Sequence, residues 1–137
     1  MLNSSSRVLL VDDFSLIRTM LTKSLINLGF RHIEEAKDGV QALEKLTKAL
    51  SDQVPYNIMF LDWNMPNKTG IEVLCECRAK AEFKDLVIVM VTSEAEKKHV
   101  LRALTSGAND YVVKPSSDAI LSAKIAHINQ QLSKKAG

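Results

Sequence analysis

Cysteine is scarce in this sequence, and long apolar runs are absent. The two cysteines, Cys75 and Cys77, lie too close together to close a useful disulfide loop and are too few for a structural zinc site. We therefore expect a reducing compartment and a cytoplasmic location. The first six residues are polar, no signal-peptide pattern follows them, and no run is long enough to span a bilayer, so we expect no membrane association.

A dominant charge of one sign is also lacking. The 137 residues carry a formal net charge of +2, whereas a protein that binds a phosphate backbone normally concentrates lysine and arginine on one face. Nucleic acid is therefore not an expected partner. Because 46% of the residues are hydrophobic and 25% are charged, the chain has a globular composition, and its length indicates a single core.

What the sequence does contain is an alternation of short apolar runs and longer stretches with helical spacing. Most of the runs lack an inside-outside alternation, which is typical of strands covered on both faces of a parallel sheet. The predicted strands are residues 8–11, 32–36, 58–61, 86–91 and 111–113. Apolar residues at helical spacing follow each run, for example Leu16, Met20, Leu21, Leu25 and Leu28. The pattern predicts an α/β domain with five strand-helix repeats.

Local signals mark the ends of several predicted helices. Capping-box spacing occurs in three pairs, which are Asp38 with Gln41, Thr69 with Glu72, and Ser93 with Glu96. Gly29 and Gly107 lie where a helix should end in a left-handed cap before the next strand. These signals support the predicted order of elements.

Polar side chains follow four of the five predicted strands. Asp12 and Asp13 follow the first strand, Asp62 the third, Thr92 the fourth and Lys114 the fifth. In an open, doubly wound sheet the carboxyl ends of the strands meet at one edge, and ligands bind there. We therefore expect these five side chains to form one site.

Three crowded carboxylates repel one another unless cations offset their charge. Oxygen ligands in a small cluster suit Mg²⁺, and Asp62 is then a candidate phosphoryl acceptor. Lys114 and the Thr92 hydroxyl would neutralise the charge that develops during transfer. Taken singly, Asp13 or Thr92 could cap a helix and Lys114 could be a solvated loop residue, but together they favour a phosphoryl-transfer site.

Four local strings carry a resemblance to a known family. They are VDDFS at residues 11–15, EAKDGV at 35–40, DWNMP at 62–66 and YVVKP at 111–115. Along nearly its whole length the chain resembles response-regulator receiver domains, especially those of the chemotaxis CheY type. The resemblance implies a flavodoxin-like, doubly wound sheet of five parallel strands in the order 2-1-3-4-5, flanked by five helices.

The resemblance also implies a role for each residue of the acidic edge. Asp62 would accept the phosphoryl group from a phosphohistidine on a CheA-like histidine kinase. Asp13, Asp62 and the backbone carbonyl of Asn64 would ligate Mg²⁺, and Asp12 would assist through water. Lys114 would contact a phosphoryl oxygen. Such a domain is a phosphoacceptor with Mg²⁺-dependent self-phosphorylation and autodephosphorylation, and it is not a conventional turnover enzyme.

The resemblance implies further roles in the conformational switch and in hydrolysis of the aspartyl phosphate. Thr92 would close onto a phosphoryl oxygen while Tyr111 rotates inward, and the bond between Lys114 and Pro115 would be cis. Asn64 and Glu94 occupy positions that tune the attack of water on the aspartyl phosphate in this family. A separate phosphatase is a possible partner.

The implied output is binding to a flagellar motor switch protein (FliM-like), through a surface formed by Ala95, Lys97, Val100, Tyr111 and Lys124. Ser116 stands where CheY-type chains often carry phenylalanine, which leaves two other functions open. One is a phosphorelay intermediate or phosphate sink. The other is a metal-dependent phosphohydrolase, which is disfavoured because Asn64 stands where such enzymes usually carry an acid.

Three organisational expectations complete the interpretation. We expect a flexible N-terminal segment at residues 1–6, a receiver domain at 7–132 and a basic tail at 133–137. Nothing in the sequence demands more than a monomer. Trp63 is expected to form a partly exposed wall of the site, because its neighbours in sequence are site residues.

Overall fold

The computed structural model describes residues 1–93 and 98–136, and within them five strands form one parallel sheet. The order is β2-β1-β3-β4-β5, which confirms the expected doubly wound topology. Each strand lies within one residue of its predicted bounds. The strands are β1 (Arg7–Val11), β2 (His32–Ala36), β3 (Ile58–Asp62), β4 (Val87–Thr92) and β5 (Asp110–Val113).

Helices connect successive strands in the described residues. They are α1 (Ser15–Asn27), α2 (Gly39–Ser51), α3 (Gly70–Arg78), α4 (Val100–Thr105) and α5 (Asp118–Ala136), and a 3-10 turn spans Ala81–Phe83. Asp38 caps α2 by accepting a hydrogen bond from the Gln41 amide at 2.8 Å, and Thr69 with Glu72 forms the predicted capping box of α3. The third predicted box lies partly outside the described residues, because it includes Glu96.

The central strands of the sheet are buried on both faces, so the protein has a layer of core on each side of the sheet. Alternate residues of a strand point to opposite faces. Leu9 of β1 therefore joins the core under α2 and α3, while Leu10 joins the core that contains Leu21 and Leu25 of α1. All residues of β3 and β4 are buried. This rigid centre fixes the edge where the predicted site residues lie.

Two of the apolar residues at helical spacing in α1 do not face the core. Leu16 and Met20 keep 68% and 43% of their surface exposed, whereas Leu21 and Leu25 are buried. At 3.6 residues per turn, Leu16 and Met20 lie one turn apart on the side of the helix away from Leu21 and Leu25. The apolar stripe that faces the core is therefore narrower than the sequence pattern suggests.

The loop before β5 is held by Arg78 at the end of α3. Its guanidinium donates hydrogen bonds to the carbonyl oxygens of Gly107, Phe83 and Leu86 and to the side chain of Asn109, at 2.8 to 2.9 Å. Gly107 has a φ of +112°, which a glycine adopts without strain. Arg78 thereby fixes the start of β5.

The segment before β1 is attached to α5. Leu2 is buried, its amide donates to the Asn129 side chain at 2.8 Å, and the Asn129 amide group donates back to the Leu2 carbonyl at 3.1 Å. The α5 helix spans Asp118–Ala136. No helix in the described ranges is long and apolar enough to cross a membrane.

Candidate functional site

The carboxyl edge of the sheet collects the polar residues predicted to form a site. Asp12 and Asp13 directly follow β1, Asp62 ends β3, Thr92 ends β4 and Lys114 directly follows β5. Because β3 lies between β1 and β4, and β5 lies beside β4, these strand ends are neighbours. Carboxylate oxygens of Asp12, Asp13 and Asp62 lie within 4.8 Å of one another.

Lys114 forms the electrostatic centre of this edge. Its ammonium nitrogen donates a hydrogen bond to Oδ1 of Asp62 at 2.8 Å and lies 3.0 Å from Oδ2 of Asp12. Asp12 and Asp62 are buried, whereas Asp13 is exposed. One ammonium therefore faces two buried carboxylates, and a third carboxylate lies at the rim. The sequence did not predict the direct contact between Lys114 and Asp12.

Burial raises the pKa of Asp62 to about 7, because a charge is poorly solvated in the interior. The hydrogen bond and charge of Lys114 oppose this rise, while the charges of Asp12 and Asp13 add to it. Burial acts in the opposite direction on Lys114, but its contacts with Asp62 and Asp12 outweigh burial and raise the pKa of the ammonium. At the carboxyl edge of the sheet, one ammonium group thus faces more carboxylate groups than it can neutralise.

Two buried polar atoms at this edge lack a hydrogen bond within the part of the chain that the structure describes. They are the Thr92 hydroxyl and Oδ2 of Asp12, whose contact with Lys114 has the distance of an ion pair but not the direction of a hydrogen bond. An unsatisfied buried polar atom costs roughly 1–3 kcal/mol. A cation near Asp12 and an oxyanion near Thr92 would satisfy both atoms, so the residues present fit Mg²⁺ and a phosphoryl group.

The loop that follows Asp62 is folded tightly against β3. The Gly70 amide donates to the Trp63 carbonyl at 2.9 Å, and the Trp63 amide donates to the Val91 carbonyl at 3.2 Å. A β-carbon on Gly70 would lie 2.1 Å from the Asp62 carbonyl oxygen, so only glycine fits at this position. No pattern in the sequence predicts this close approach.

Trp63 is not the partly exposed wall that the sequence predicted. It is 7% exposed and belongs to the core, and its indole stacks on the His99 imidazole with 5.4 Å between ring centroids and 10° between planes. The prediction was wrong because the imidazole of His99, 36 positions away in sequence, covers one face of the indole. The stack joins the residue after Asp62 to the residue before α4.

The predicted switch and partner residues are only partly described. Tyr111 and Val100 are half-buried, and the Lys124 ammonium lies 4.2 Å from the centroid of the Tyr111 ring. Glu94, Ala95 and Lys97 lie outside the described residues. The bond between Lys114 and Pro115 is cis, as the resemblance implied.

The fold and the acidic edge together are those of a receiver domain of the two-component signalling class. The chain belongs to the response regulator receiver domain family, whose model matches residues 8–126. It is similar to chemotaxis protein CheY-3 of Vibrio cholerae, with 38% identity over 131 residues that cover 96% of this chain and 97% of that protein. The chain is therefore a CheY-like receiver domain.

Two solved structures share this fold. Vibrio cholerae chemotaxis protein CheY4 superposes with a TM-score of 0.77 at 31% identity, over 89% of this chain and 97% of that one. A probable two-component system response regulator/GGDEF domain protein superposes with a TM-score of 0.84 at 24% identity. This chain spans 52% of that protein, and at 24% identity the second likeness concerns the fold alone.

Proposed function

We propose that this protein is a single-domain response regulator that takes a phosphoryl group onto Asp62 from a CheA-like histidine kinase. In its phosphorylated state it binds a flagellar motor switch protein (FliM-like). The observation that carries the proposal is the pairing of Lys114 with a buried Asp62 beside Asp12 and Asp13. The match over 97% of the length of a CheY-3 protein supports a single-domain regulator.

The acceptor chemistry follows from this arrangement. A carboxylate oxygen of Asp62 attacks the phosphorus of a phosphoimidazole, a P–O bond forms, and the P–N bond breaks with its electrons returning to the imidazole. Lys114 stays within hydrogen-bonding distance of Asp62 and stabilises charge on the phosphoryl oxygens. Mg²⁺, when bound, neutralises further charge, with Asp12, Asp13, Asp62 and the Asn64 carbonyl as its candidate ligands.

The switch and the reset use residues around the acceptor. Thr92 offers a buried hydroxyl without a partner in the described residues, and a phosphoryl oxygen would provide its acceptor. Movement of Thr92 is coupled to Tyr111, whose strand pairs with β4. Asn64 and Glu94 tune hydrolysis of the aspartyl phosphate, and a partner phosphatase would accelerate it. The protein therefore acts through its phosphorylation state, in the cytoplasm and as a monomer, and not through multiple turnovers.

The partner surface consists of Ala95, Lys97, Val100, Tyr111 and Lys124. Two nearby apolar residues of α4 support it, since Leu101 is 72% exposed and Leu104 is 39% exposed. Exposed apolar side chains bordered by lysine are suited to an amphipathic segment of a partner protein. This is the chemistry expected of a motor switch segment.

The first test measures labelling of the acceptor. We expect acetyl phosphate with Mg²⁺ to form an acid-labile, hydroxylamine-sensitive acyl phosphate in the wild type, and Asp62→Asn to abolish it. Asp52→Asn is the matched control, because Asp52 is an exposed acid in a surface pair with Lys48. Undiminished acyl phosphate in Asp62→Asn would refute the acceptor assignment.

The second test measures the output. The protein is titrated with the N-terminal peptide of a flagellar switch protein, with and without Mg²⁺ and beryllofluoride, which mimics a phosphoryl group. A gain in affinity with beryllofluoride is expected. If beryllofluoride binds but peptide affinity does not change, the protein is a relay intermediate or a phosphate sink, and the motor partner is wrong.

A further inference from the structure

Asp110 and Tyr111 begin β5, which is an edge strand of the sheet. Their side chains point to opposite faces because consecutive strand residues alternate. Tyr111 packs against the core on one face, which includes Ala103 of α4. Asp110 lies on the other face, where α5 covers the sheet, and it is 7% exposed. A side chain at the open edge of β5, where the two faces meet, is placed to contact both residues.

Lys124 of α5 makes this double contact. Its ammonium nitrogen lies 2.9 Å from Oδ1 of Asp110 and 4.2 Å from the centroid of the Tyr111 ring. Oδ1 of Asp110 also accepts a hydrogen bond from the Tyr111 amide at 2.8 Å. The backbone of Tyr111, its ring and the ammonium are therefore all connected to one buried carboxylate.

The contact between Lys124 and Tyr111 depends on the position of the ring. An ammonium is attracted to the face of an aromatic ring within about 6 Å of the centroid, and the attraction falls when the ring turns away. Asp110 is held by the Tyr111 amide, so the ammonium cannot follow the ring without weakening its ion pair. Any rotation of Tyr111 must therefore give up this interaction.

We propose that Lys124, held by Asp110, is a positioning residue that stabilises the resting position of the Tyr111 ring. This inference rests on the proposed function, in which Tyr111 moves on phosphorylation. Lys124 opposes that movement, so it sets how much of the protein occupies the active arrangement before phosphorylation. A partner that binds at Lys124 must first compete with Asp110 for the ammonium.

The first experiment reports the ring without any phosphoryl mimic. The protein is labelled with 3-fluorotyrosine, and its two tyrosines give two ¹⁹F resonances, assigned with Tyr111→Phe. Lys124→Met keeps the alkyl length and removes the charge, so we expect the Tyr111 resonance to shift or broaden while the Tyr56 resonance stays unchanged. Lys124→Arg should retain the wild-type resonance. An unchanged Tyr111 resonance in Lys124→Met would overturn the proposal.

The second experiment measures the population of the active arrangement. Apparent affinity for beryllofluoride scales with the fraction of protein already in that arrangement. Loss of the cation-ring contact should raise this affinity by about three- to tenfold in Lys124→Met, and Lys124→Arg should restore the wild-type value. The gain should vanish when Lys124→Met is combined with Tyr111→Ala, because the ring is then absent. The same gain in that double variant would overturn the proposal.

His127 provides the matched control. Its Nδ1 lies 3.4 Å from the other oxygen of Asp110, whereas the cation over the Tyr111 ring is the Lys124 ammonium. His127→Gln should leave both the ¹⁹F resonance and the beryllofluoride affinity unchanged. Wild-type protein that fails to bind beryllofluoride would contradict the proposed phosphoacceptor function. If Lys124→Met still alters the Tyr111 resonance in that case, the positioning of the Tyr111 ring by Lys124 is supported independently.

Discussion

Lys114 and Asp62 form an ion pair of 2.8 Å, and the same ammonium lies 3.0 Å from Asp12. This single cation compensates two buried carboxylates, so it supports both the resting site and the phosphorylated one. In the phosphorylated protein its hydrogen bond would pass to a phosphoryl oxygen. The contact predicts that Lys114 contributes to phosphoryl transfer rather than to metal binding.

Lys114→Met removes the ammonium and retains a side chain of similar length. We expect Mg²⁺ binding to persist, because the candidate ligand oxygens remain, and labelling by acetyl phosphate to fall by at least about 100-fold, since a charge-stabilising donor is lost. Mg²⁺ binding is followed by calorimetry and labelling by intact-mass spectrometry. Lys48→Met is the control, since Lys48 is exposed in a surface pair. Loss of Mg²⁺ binding in Lys114→Met would contradict the assigned roles.

The pKa of Asp62 predicts how stability depends on pH when divalent metal is removed. Burial raises this pKa from an ordinary value of about 4 to about 7. Between these values the folded protein holds a proton that the unfolded chain has lost, so the free energy of unfolding falls as pH rises from about 4 to about 7. The loss is on the order of 2–4 kcal/mol at pH 7.

Asp62→Asn should remove this component, because asparagine is neutral throughout the range. Urea unfolding in chelator is measured for both proteins at intervals between pH 4 and 8. As pH rises, the free energy of unfolding of the wild type should fall relative to that of Asp62→Asn. The difference between the two free energies should level off above pH 7. A constant difference across the range would show that Asp62 does not carry the raised pKa.

Gly70→Ala should damage the site through the backbone. Its β-carbon would collide with the Asp62 carbonyl, so we expect a stability loss of about 3 kcal/mol together with loss of beryllofluoride binding. Gly29→Ala is the comparison, because it has open space but a φ of +101°, and it should cost about 1–2 kcal/mol without affecting binding. Thermal unfolding and titration separate the two effects. Retained binding in Gly70→Ala would contradict the close approach.

Trp63 is the sole tryptophan, so its fluorescence reports one environment. His99→Ala removes the imidazole that covers one face of the indole, and we expect a red-shifted emission and stronger quenching by acrylamide. His127→Ala should leave both unchanged, because His127 contacts Asp110 instead. An unchanged emission in His99→Ala would mean that the stack is not populated in solution.

Much of the fold and the acidic edge could be predicted from the sequence. Parallel strands deliver their last residues to one edge, so Asp12, Asp62, Thr92 and Lys114 could be grouped from strand ends alone. Strand bounds were accurate because runs covered on both faces are continuously apolar. The roles assigned to Asn64 and Glu94 remain predictions.

Features that depend on contacts between distant elements could not be predicted. Trp63 is covered by His99, and Gly70 approaches the Asp62 carbonyl only because the loop after β3 folds back. The contact between the Lys124 ammonium and the Tyr111 ring requires that α5 lies beside the open edge of β5. Neither helical periodicity nor residue type predicts these contacts, because each contact depends on how the elements pack against one another.

The reciprocal hydrogen bonds between Leu2 and Asn129 have a practical consequence. They join the segment before β1 to the later part of α5, near the amino-terminal ends of the strands. Asp62 lies at the opposite, carboxyl end of β3. A fluorophore or surface tether attached near either residue would therefore leave both the acceptor and the α4 face open. The protein can accordingly be immobilised or tracked through this end of the sheet while binding at the acidic edge and at α4 is measured.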